Sequence, residues 1–152
     1  MRARKFHDVQ VETLYPDTLQ FLYHLALALL VGGGIVRMSV RGDIPGWDGA
    51  AVLSVAVVVI TSALKAGAFE VSGAPETRLV VRWVALAVAS AAVIYASGWA
   101  APVSRSLRTQ TRDFDDLPAS TPARRESASL DRSAARALRI GIVAGLVAMY
   151  LS

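Results

Sequence analysis

The stretch Thr18–Met38 reads TLQFLYHLALALLVGGGIVRM and decides the fold of this 152-residue chain. From Leu19 to Val36 it contains no charged residue. At ~1.5 Å of rise per residue, a helix of that length extends over roughly 27 Å. This length matches the hydrocarbon core of a bilayer, so the stretch predicts a helix that crosses a membrane.

Three further apolar runs follow the first one. Hydrophobic residues make up 54% of the chain and the mean hydropathy is +0.45, which is more apolar than a soluble domain of this size. The runs also lack the polar faces that separate apolar stripes in a soluble bundle. We therefore predict an all-α, integral membrane four-helix bundle. Its predicted spans are about 18–38, 49–66, 79–101 and 138–151.

The first two polar segments are predicted to be short. Residues 1–17 form a partly ordered lead-in, and Asp17 or Thr18 is the expected cap of the first span. The segment Ser39–Asp48 contains two glycines, one proline and two aspartates, which is turn chemistry. Its Arg41–Asp43 tripeptide is interpreted as part of a charged hairpin rather than as an adhesion motif.

The polar segment that follows the third span is the longest. Pro102 is expected to end the third span, because the residue before a proline is disfavoured in a helix. Residues 103–137 are predicted to form a polar loop that is flexible over Thr109–Ser127. A helix is expected to restart at Ser127.

Composition argues against several classes of function. The chain has no cysteine, which excludes disulfides and thiolate metal sites. It also shows no Ser–His–Asp set with usable spacing, no phosphate-binding loop and no paired carboxylates within a span. We therefore expect a protein that is not an enzyme, with no catalytic residues, no dedicated metal site and no resident cofactor.

The 16 basic residues outnumber the 12 acidic ones, and their distribution predicts an orientation. In a membrane protein such an excess marks the cytoplasmic loops, so we do not expect nucleic-acid binding. Four basic residues lie on the side of the two termini, and eight lie on the side that carries residues 103–137. The long polar segment is therefore predicted to be cytoplasmic, with both termini outside, in a bacterial-type inner membrane.

His24 lies about one and a half turns inside the first span. A neutral imidazole within a membrane can ligate haem or a metal, or relay protons. It can equally hydrogen-bond a hydroxyl or a carbonyl of a neighbouring helix. The other histidine, His7, lies outside the span, so haem held by two histidines of one chain is not expected. We favour the structural role and keep His24 as a candidate cofactor-binding residue.

Glycines in the first span are predicted to serve helix packing. Gly32, Gly33 and Gly34 would each destabilise an isolated helix by roughly 1 kcal/mol. Their absent side chains allow another helix to approach closely, which would offset that cost. A local kink or a backbone site for a ligand is the alternative.

The last span carries a small residue at every fourth position. This face ends in a GxxxG pattern, which brings helix backbones together in lipid. We favour packing within the bundle over dimerisation. Its residues are Ser133, Ala137, Gly141 and Gly145.

Three polar residues share one face of the second span: Ser54, Thr61 and Lys65, at i, i+7 and i+11. They could line a polar pathway through the membrane. Alternatively, the hydroxyl groups bond carbonyls of their own helix and Lys65 extends to the interface. We favour this alternative.

The run Leu22–Gly34 resembles the first helix of the transmembrane-protein-205-like family, also described as domain of unknown function 4149. In that family a third helix ends in Ala-Pro followed by basic residues, as Ala101–Arg108 does here. The segment Leu130–Leu146 is similar to the start of the family's last helix, with Ala134 near the place of an expected histidine. The resemblance implies a four-helix membrane protein. A histidine ahead of glycines is also similar to copper-resistance D-type membrane proteins, which implies a metal or haem role for His24.

Three hypotheses about function follow, and the lipid bilayer is the common partner in all of them. The first is a structural, accessory or assembly-type protein that packs through small-residue faces, as a homo-oligomer or with another membrane protein. The second is a haem- or metal-ion-binding protein that uses His24. The third is a small transporter or channel subunit that uses the face of Ser54, Thr61 and Lys65.

Overall fold

The computed structural model describes residues 3–40, 44–67 and 76–152, and within these ranges it describes side chains from residue 17 onward. Each of the four long helices contains a stretch that is long and apolar enough to cross a membrane. This confirms the predicted all-α, four-helix membrane bundle. The helices are α1 (Ala3–Ser39, with its candidate span at Asp17–Ser39), α2 (Trp47–Lys65), α3 (Thr77–Gln110) and α4 (Pro122–Tyr150).

Consecutive helices are neighbours around the bundle. Helix α1 packs against α2 and α4, and α3 packs against α4 and, through its middle, against α2. At one end of the bundle the hydroxyl of Tyr23 on α1 lies 2.9 Å from that of Ser152, just beyond α4. At the other end Arg105 of α3 contacts Asp48 of α2. We call these the terminal end and the hairpin end.

Two hydrophobic clusters fill the interior, one behind the other along the bundle axis. The first includes Leu30, Val55 and Ile142, and the second includes Leu27 and Val58. On α1 the buried positions recur every three or four residues, as one face of a helix requires. Large apolar side chains also point outward, as expected of a protein whose surroundings are lipid. Strongly exposed ones within the candidate spans include Phe21 (64%), Leu53 (65%) and Val143 (62%).

Helix α3 continues through Pro102, so the prediction that this proline ends the helix is wrong. A proline within a helix lacks one N–H donor, and its ring crowds the carbonyl four residues earlier. A wider π-helical turn, Ile94–Ala100, comes immediately before it, and the N–H of Ala101 donates to the carbonyl of Ala96, five residues back. This turn gives the proline ring room, and the helix resumes as Ala101–Gln110.

The segment 103–137 is largely helical, which corrects the prediction of a polar loop. Helix α3 extends to Gln110 and α4 begins at Pro122, so the connection is only residues 111–121. Arg124 holds this connection, because its Nη1 donates to the carbonyls of Asp115 at 3.0 Å and Leu117 at 2.7 Å. We call residues 101–137 the polar hairpin. These hydrogen bonds order a segment that was predicted to be flexible. They cannot be predicted from amino-acid composition.

The first helix also differs from its prediction. Helix α1 begins at Ala3 and runs through Pro16, so residues 3–17 are helical rather than a lead-in. A proline removes a single backbone bond, and the helix continues on both sides of it. Helix α2 begins after Gly46, whose φ of +77° is a left-handed conformation that glycine adopts without strain. The Arg41–Asp43 tripeptide lies outside the described residues.

Candidate functional site

His24 is half-buried on α1, and its closest polar contact is within its own helix. Its Nδ1 lies 2.8 Å from the carbonyl oxygen of Gln20, one turn earlier, so Nδ1–H is the donor. The ring also packs edge-on against Tyr23, with 5.2 Å between the ring centres. This leaves Nε2 as the ring atom with acceptor capacity.

The metal-ligand chemistry around His24 is sparse in the described part of the chain. Over residues 17–40, 44–67 and 76–152, no group of three His, Cys, Asp or Glu side chains is placed to hold a metal ion. The side chain of His7 lies outside this set. A metal ion held by three such side chains at His24 would therefore need ligands from outside these residues, and the cofactor role stays a prediction.

The hydroxyl groups on the predicted polar face of α2 point into the bundle and bond to their own helix. Ser54 donates to the carbonyl of Ala50 at 2.8 Å. Thr61 donates to the carbonyl of Val57 at 2.7 Å. These bonds satisfy the hydroxyl donors without water or a neighbouring helix.

Lys65 lies at the terminal end, in a small polar cluster. Its Nζ donates to Oε1 of Gln20 at 2.7 Å and lies 6.0 Å from the centre of the Tyr23 ring. The cluster therefore joins α1, α2 and the end of α4. The ammonium group of Lys65 is therefore bound to the side chain of Gln20. A polar pathway along the face of Ser54, Thr61 and Lys65 stays a prediction.

The three glycines of α1 have different surroundings. A Cβ built on Gly33 would lie 2.2 Å from the ring of Trp47, and one on Gly34 would lie 3.1 Å from Ile142. At both positions a neighbouring side chain packs directly against the glycine, and an alanine there would displace it. Gly32 is exposed and its Cβ would meet nothing within 4 Å, so it takes no part in packing within the monomer.

The small-residue face of α4 packs inside the bundle. A Cβ on Gly141 would lie 3.3 Å from that of Ala92 on α3, and a Cβ on Gly145 would lie 2.8 Å from Val31 on α1. Ala137 packs against the core, and the hydroxyl of Ser133 accepts from that of Tyr95 at 2.9 Å. This face is therefore occupied by the protein's own helices.

A buried polar network fastens the two arms of the polar hairpin together. Ser104 on α3 lies 2.9 Å from the hydroxyl of Ser127 on α4 and donates to Oδ1 of Asp131 at 2.7 Å. Arg108 contacts the same aspartate and donates from Nε to Ser127 at 3.2 Å. Ser104 and Ser127 are each 2% exposed, so the arms meet at van der Waals distance.

A cavity of about 460 Å³ opens at the hairpin end, between this network and the start of α2. Its floor is apolar and includes Ala96 and Leu138, and Trp47 forms part of its wall. A volume of this size is within the range of pockets that bind small molecules. Its charged lining consists of Arg37, Arg105, Arg108, Arg139, Asp48 and Asp131.

Sequence reasoning did not find this cavity. The lining comes from all four helices, and Arg108 and Asp131 are 23 residues apart in the chain. Only the folded polar hairpin brings them together. Sequence reasoning also did not single out Arg82 on α3, which is only 7% exposed and lies inside the bundle.

Comparisons of the chain with protein-family models, with curated proteins and with solved structures find no match in any of the three. The resemblance to the transmembrane-protein-205-like family therefore stays a prediction.

Proposed function

We propose that this multi-pass membrane protein has a structural or accessory role and that its bundle is a closed scaffold rather than a pathway. The observation that carries the proposal is the packing of the interior. Two hydrophobic clusters lie in it, and the hydroxyls of Ser54 and Thr61 bond to their own helix. A water-filled route would instead need polar groups that face an open space.

The packing of α4 inside the bundle limits which surface could serve self-association. Because Gly141 and Gly145 contact α3 and α1 of the same chain, their face is already used. A second copy or another membrane protein would meet the outward apolar surface, where the small residues Ala28 and Gly32 of α1 are exposed. Self-association, if present, is therefore proposed to involve the lipid-facing surface.

We also propose a cell-membrane location with the polar hairpin in the cytoplasm. The hairpin carries seven arginines, and an excess of basic residues in short segments marks the cytoplasmic side. Both termini would then lie outside.

Cysteine accessibility tests the closed interior. The chain has no cysteine, so Ser54→Cys and Thr61→Cys each introduce one thiol of similar size. In reconstituted vesicles we expect neither thiol to react with a small, charged thiol reagent added on both sides. Ser120→Cys, at an exposed position in the connection of the hairpin, is the matched control and should react fully. Rapid reaction at both 54 and 61 would refute the closed scaffold and favour the pathway.

A second measurement separates the scaffold from the cofactor hypothesis. An absorbance spectrum and metal analysis of the purified protein should be the same for the native chain and for His24→Ala. A Soret band or a stoichiometric metal that disappears in the variant would instead assign His24 to a cofactor site.

A further inference from the structure

We propose that the outer face of α4 is a docking surface for a helix of another membrane protein, one whose extension beyond the bilayer is acidic. This docking role rests on the accessory role proposed above and names the chemistry of the partner. Three features of the helix support it. They are a row of exposed arginines in the polar hairpin, the apolar continuation of the same face, and the direction in which the face runs.

Three exposed arginines lie on one face of α4 within the polar hairpin. Arg125, Arg132 and Arg136 stand at i, i+7 and i+11, which places them within about 40° of one another around a helix of 3.6 residues per turn. Between them on this side of the helix lie Ala128 and Ser129, which are small and exposed. Their short side chains leave room for a neighbouring helix to reach the guanidinium groups.

The acidic residues of α4 lie away from this face. Glu126 and Asp131 are the two acids of the helix, and they are about 100° and 120° around it from Arg125. Asp131 instead accepts a hydrogen bond from Ser104 of α3. In the described part of the chain, the ion pairs include none of the three arginines. The arginine face therefore has no carboxylate of its own helix as a partner.

Arg132 is oriented for a partner outside the bundle. Its Nε donates to the carbonyl of Ala128 at 3.0 Å, which uses one of five N–H donors. The two terminal amino groups keep their donors, and a guanidinium can bind both oxygens of a carboxylate. Arg124 differs, because its Nη1 donates to the carbonyls of Asp115 and Leu117 and holds the connection. The outer face thus carries arginines that the fold does not use in this way.

Further along α4 the same face becomes apolar. Counted from Arg136, exposed apolar side chains follow at i+4, i+7, i+11 and i+14. Their exposed fractions lie between 40% and 85%, and they are Ile140, Val143, Val147 and Tyr150. In a membrane such a surface meets lipid or another helix. A partner helix that packs along it would continue beside the arginines.

The direction of the face favours a protein partner over the lipid surface. The 11 residues from Arg125 to Arg136 extend over about 17 Å along a helix that runs on into its apolar half. A bilayer surface lies across such a helix, so its headgroups would reach only the end near Arg136. A second helix alongside α4 would meet all three arginines.

A second copy of this chain does not fit this face. Two copies with the same orientation, paired through α4, would set arginine against arginine, and like charges across an interface disfavour pairing. Carboxylates at i, i+4 and i+11, counted away from the membrane, would instead match Arg136, Arg132 and Arg125. The partner is therefore a membrane-spanning helix with an acidic helical extension. Ion pairs along neighbouring helices set the choice and orientation of the partner.

Three synthetic helices test the docking surface. Each has an apolar span of about 20 residues followed by a helical extension. The first carries glutamates at i, i+4 and i+11 of the extension, the second carries the same glutamates spread around the helix, and the third carries glutamines instead. Each bears an acceptor fluorophore, and the protein bears a donor on the thiol of Ser120→Cys in the cysteine-free chain. Energy transfer is titrated against peptide mole fraction in phosphatidylcholine vesicles.

We expect the first helix to half-saturate the energy transfer at a mole fraction about thirtyfold lower than the glutamine helix. This is the effect of three exposed ion pairs at about threefold each. The second helix can present one glutamate at a time, so it should bind about tenfold more weakly than the first.

Arg132→Gln should raise the half-saturation point of the first helix about threefold, since one ion pair is lost. Arg112→Gln is the matched control, because Arg112 is an exposed arginine of the connection and lies outside the face. It should change the half-saturation point by less than about 1.5-fold. Circular dichroism of each variant confirms that it is folded.

Equal half-saturation points for the three helices, or equal effects of the two variants, would overturn the proposal. A face that lies on the bilayer would overturn it as well. In that case the donor would approach headgroup-labelled lipid as phosphatidylglycerol is added, with no preference among the three helices. Neither result would change the account of the closed interior, which the thiol reactions at positions 54 and 61 measure separately.

Discussion

Replacement of Gly145 by alanine tests the packing of α4 against α1. The added Cβ would lie 2.8 Å from Cγ2 of Val31, closer than carbon atoms approach in folded proteins. Valine is stiff at χ1 in a helix, so the two helices must separate or the valine must leave its preferred rotamer. Overpacking of this kind costs about 1–3 kcal/mol.

The substitution also changes helix propensity, and Gly32 provides the control for that effect. Alanine is preferred over glycine within a helix by roughly 1 kcal/mol, which partly offsets the steric cost at 145. At Gly32 an added Cβ meets nothing within 4 Å, so Gly32→Ala gains the propensity term without the clash. The difference between the two variants therefore isolates the steric cost, about 1–3 kcal/mol in favour of Gly32→Ala.

The assay is unfolding in mixed detergent micelles, followed by circular dichroism as the fraction of denaturing detergent rises. Size-exclusion chromatography of the folded variants gives the oligomeric state in parallel. Equal unfolding free energies of the two variants would refute the close contact between Gly145 and Val31. A Gly145→Ala protein of unchanged stability but altered oligomeric state would place this face between subunits instead.

Two further predictions concern hydrogen bonds at opposite ends of the bundle. Ser104→Ala removes buried bonds to α4 and should lower the unfolding free energy by about 1–2 kcal/mol, whereas the exposed Ser120→Ala should change it by less than about 0.5 kcal/mol. A loss at Ser104 no larger than the loss at Ser120 would contradict the buried network. Tyr23→Phe loses its bond to the hydroxyl beyond α4 and should cost about 1 kcal/mol, measured in the same unfolding assay. Tyr150→Phe is its control, since that side chain is 85% exposed, and equal effects at the two tyrosines would count against the terminal-end contact.

The spans were predictable because lipid imposes a simple requirement on sequence. A helix in hydrocarbon must be apolar over about 20 residues, and the run from Leu19 to Val36 meets this requirement without any long-range information. The helix ends were less predictable. Pro16 and Pro102 usually mark boundaries, yet both lie inside helices, the second because a π-helical turn precedes it.

The polar hairpin and its cavity were not predictable from local patterns. Composition distinguishes polar from apolar segments, but a polar helix and a polar loop have similar compositions. Ser104, Ser127 and Asp131 become a network only when two helices are placed side by side, and nothing in their spacing indicates this pairing. The arginines of the long polar segment were likewise only counted as charges of a cytoplasmic segment, without the geometry that groups them.

The packing role of the small residues was predicted only in part. The every-fourth spacing of Gly141 and Gly145 predicts that a helix approaches closely, and α3 and α1 do so. The spacing does not predict which helix approaches, nor that Gly32 lies open on the outer surface. Those outcomes depend on the rotation of each helix about its axis, which is set by the whole bundle.

Four helices are proposed to cross the membrane in alternating directions, and the sidedness of labelling tests this topology. Single cysteines replace Gly67, Ser120 and Ser152 in the cysteine-free chain, and a membrane-impermeant maleimide is applied to sealed vesicles before and after permeabilisation. We predict that positions 67 and 152 are labelled from one side and position 120 from the other, with 120 on the cytoplasmic side. Labelling of all three positions from the same side would contradict the four-span account.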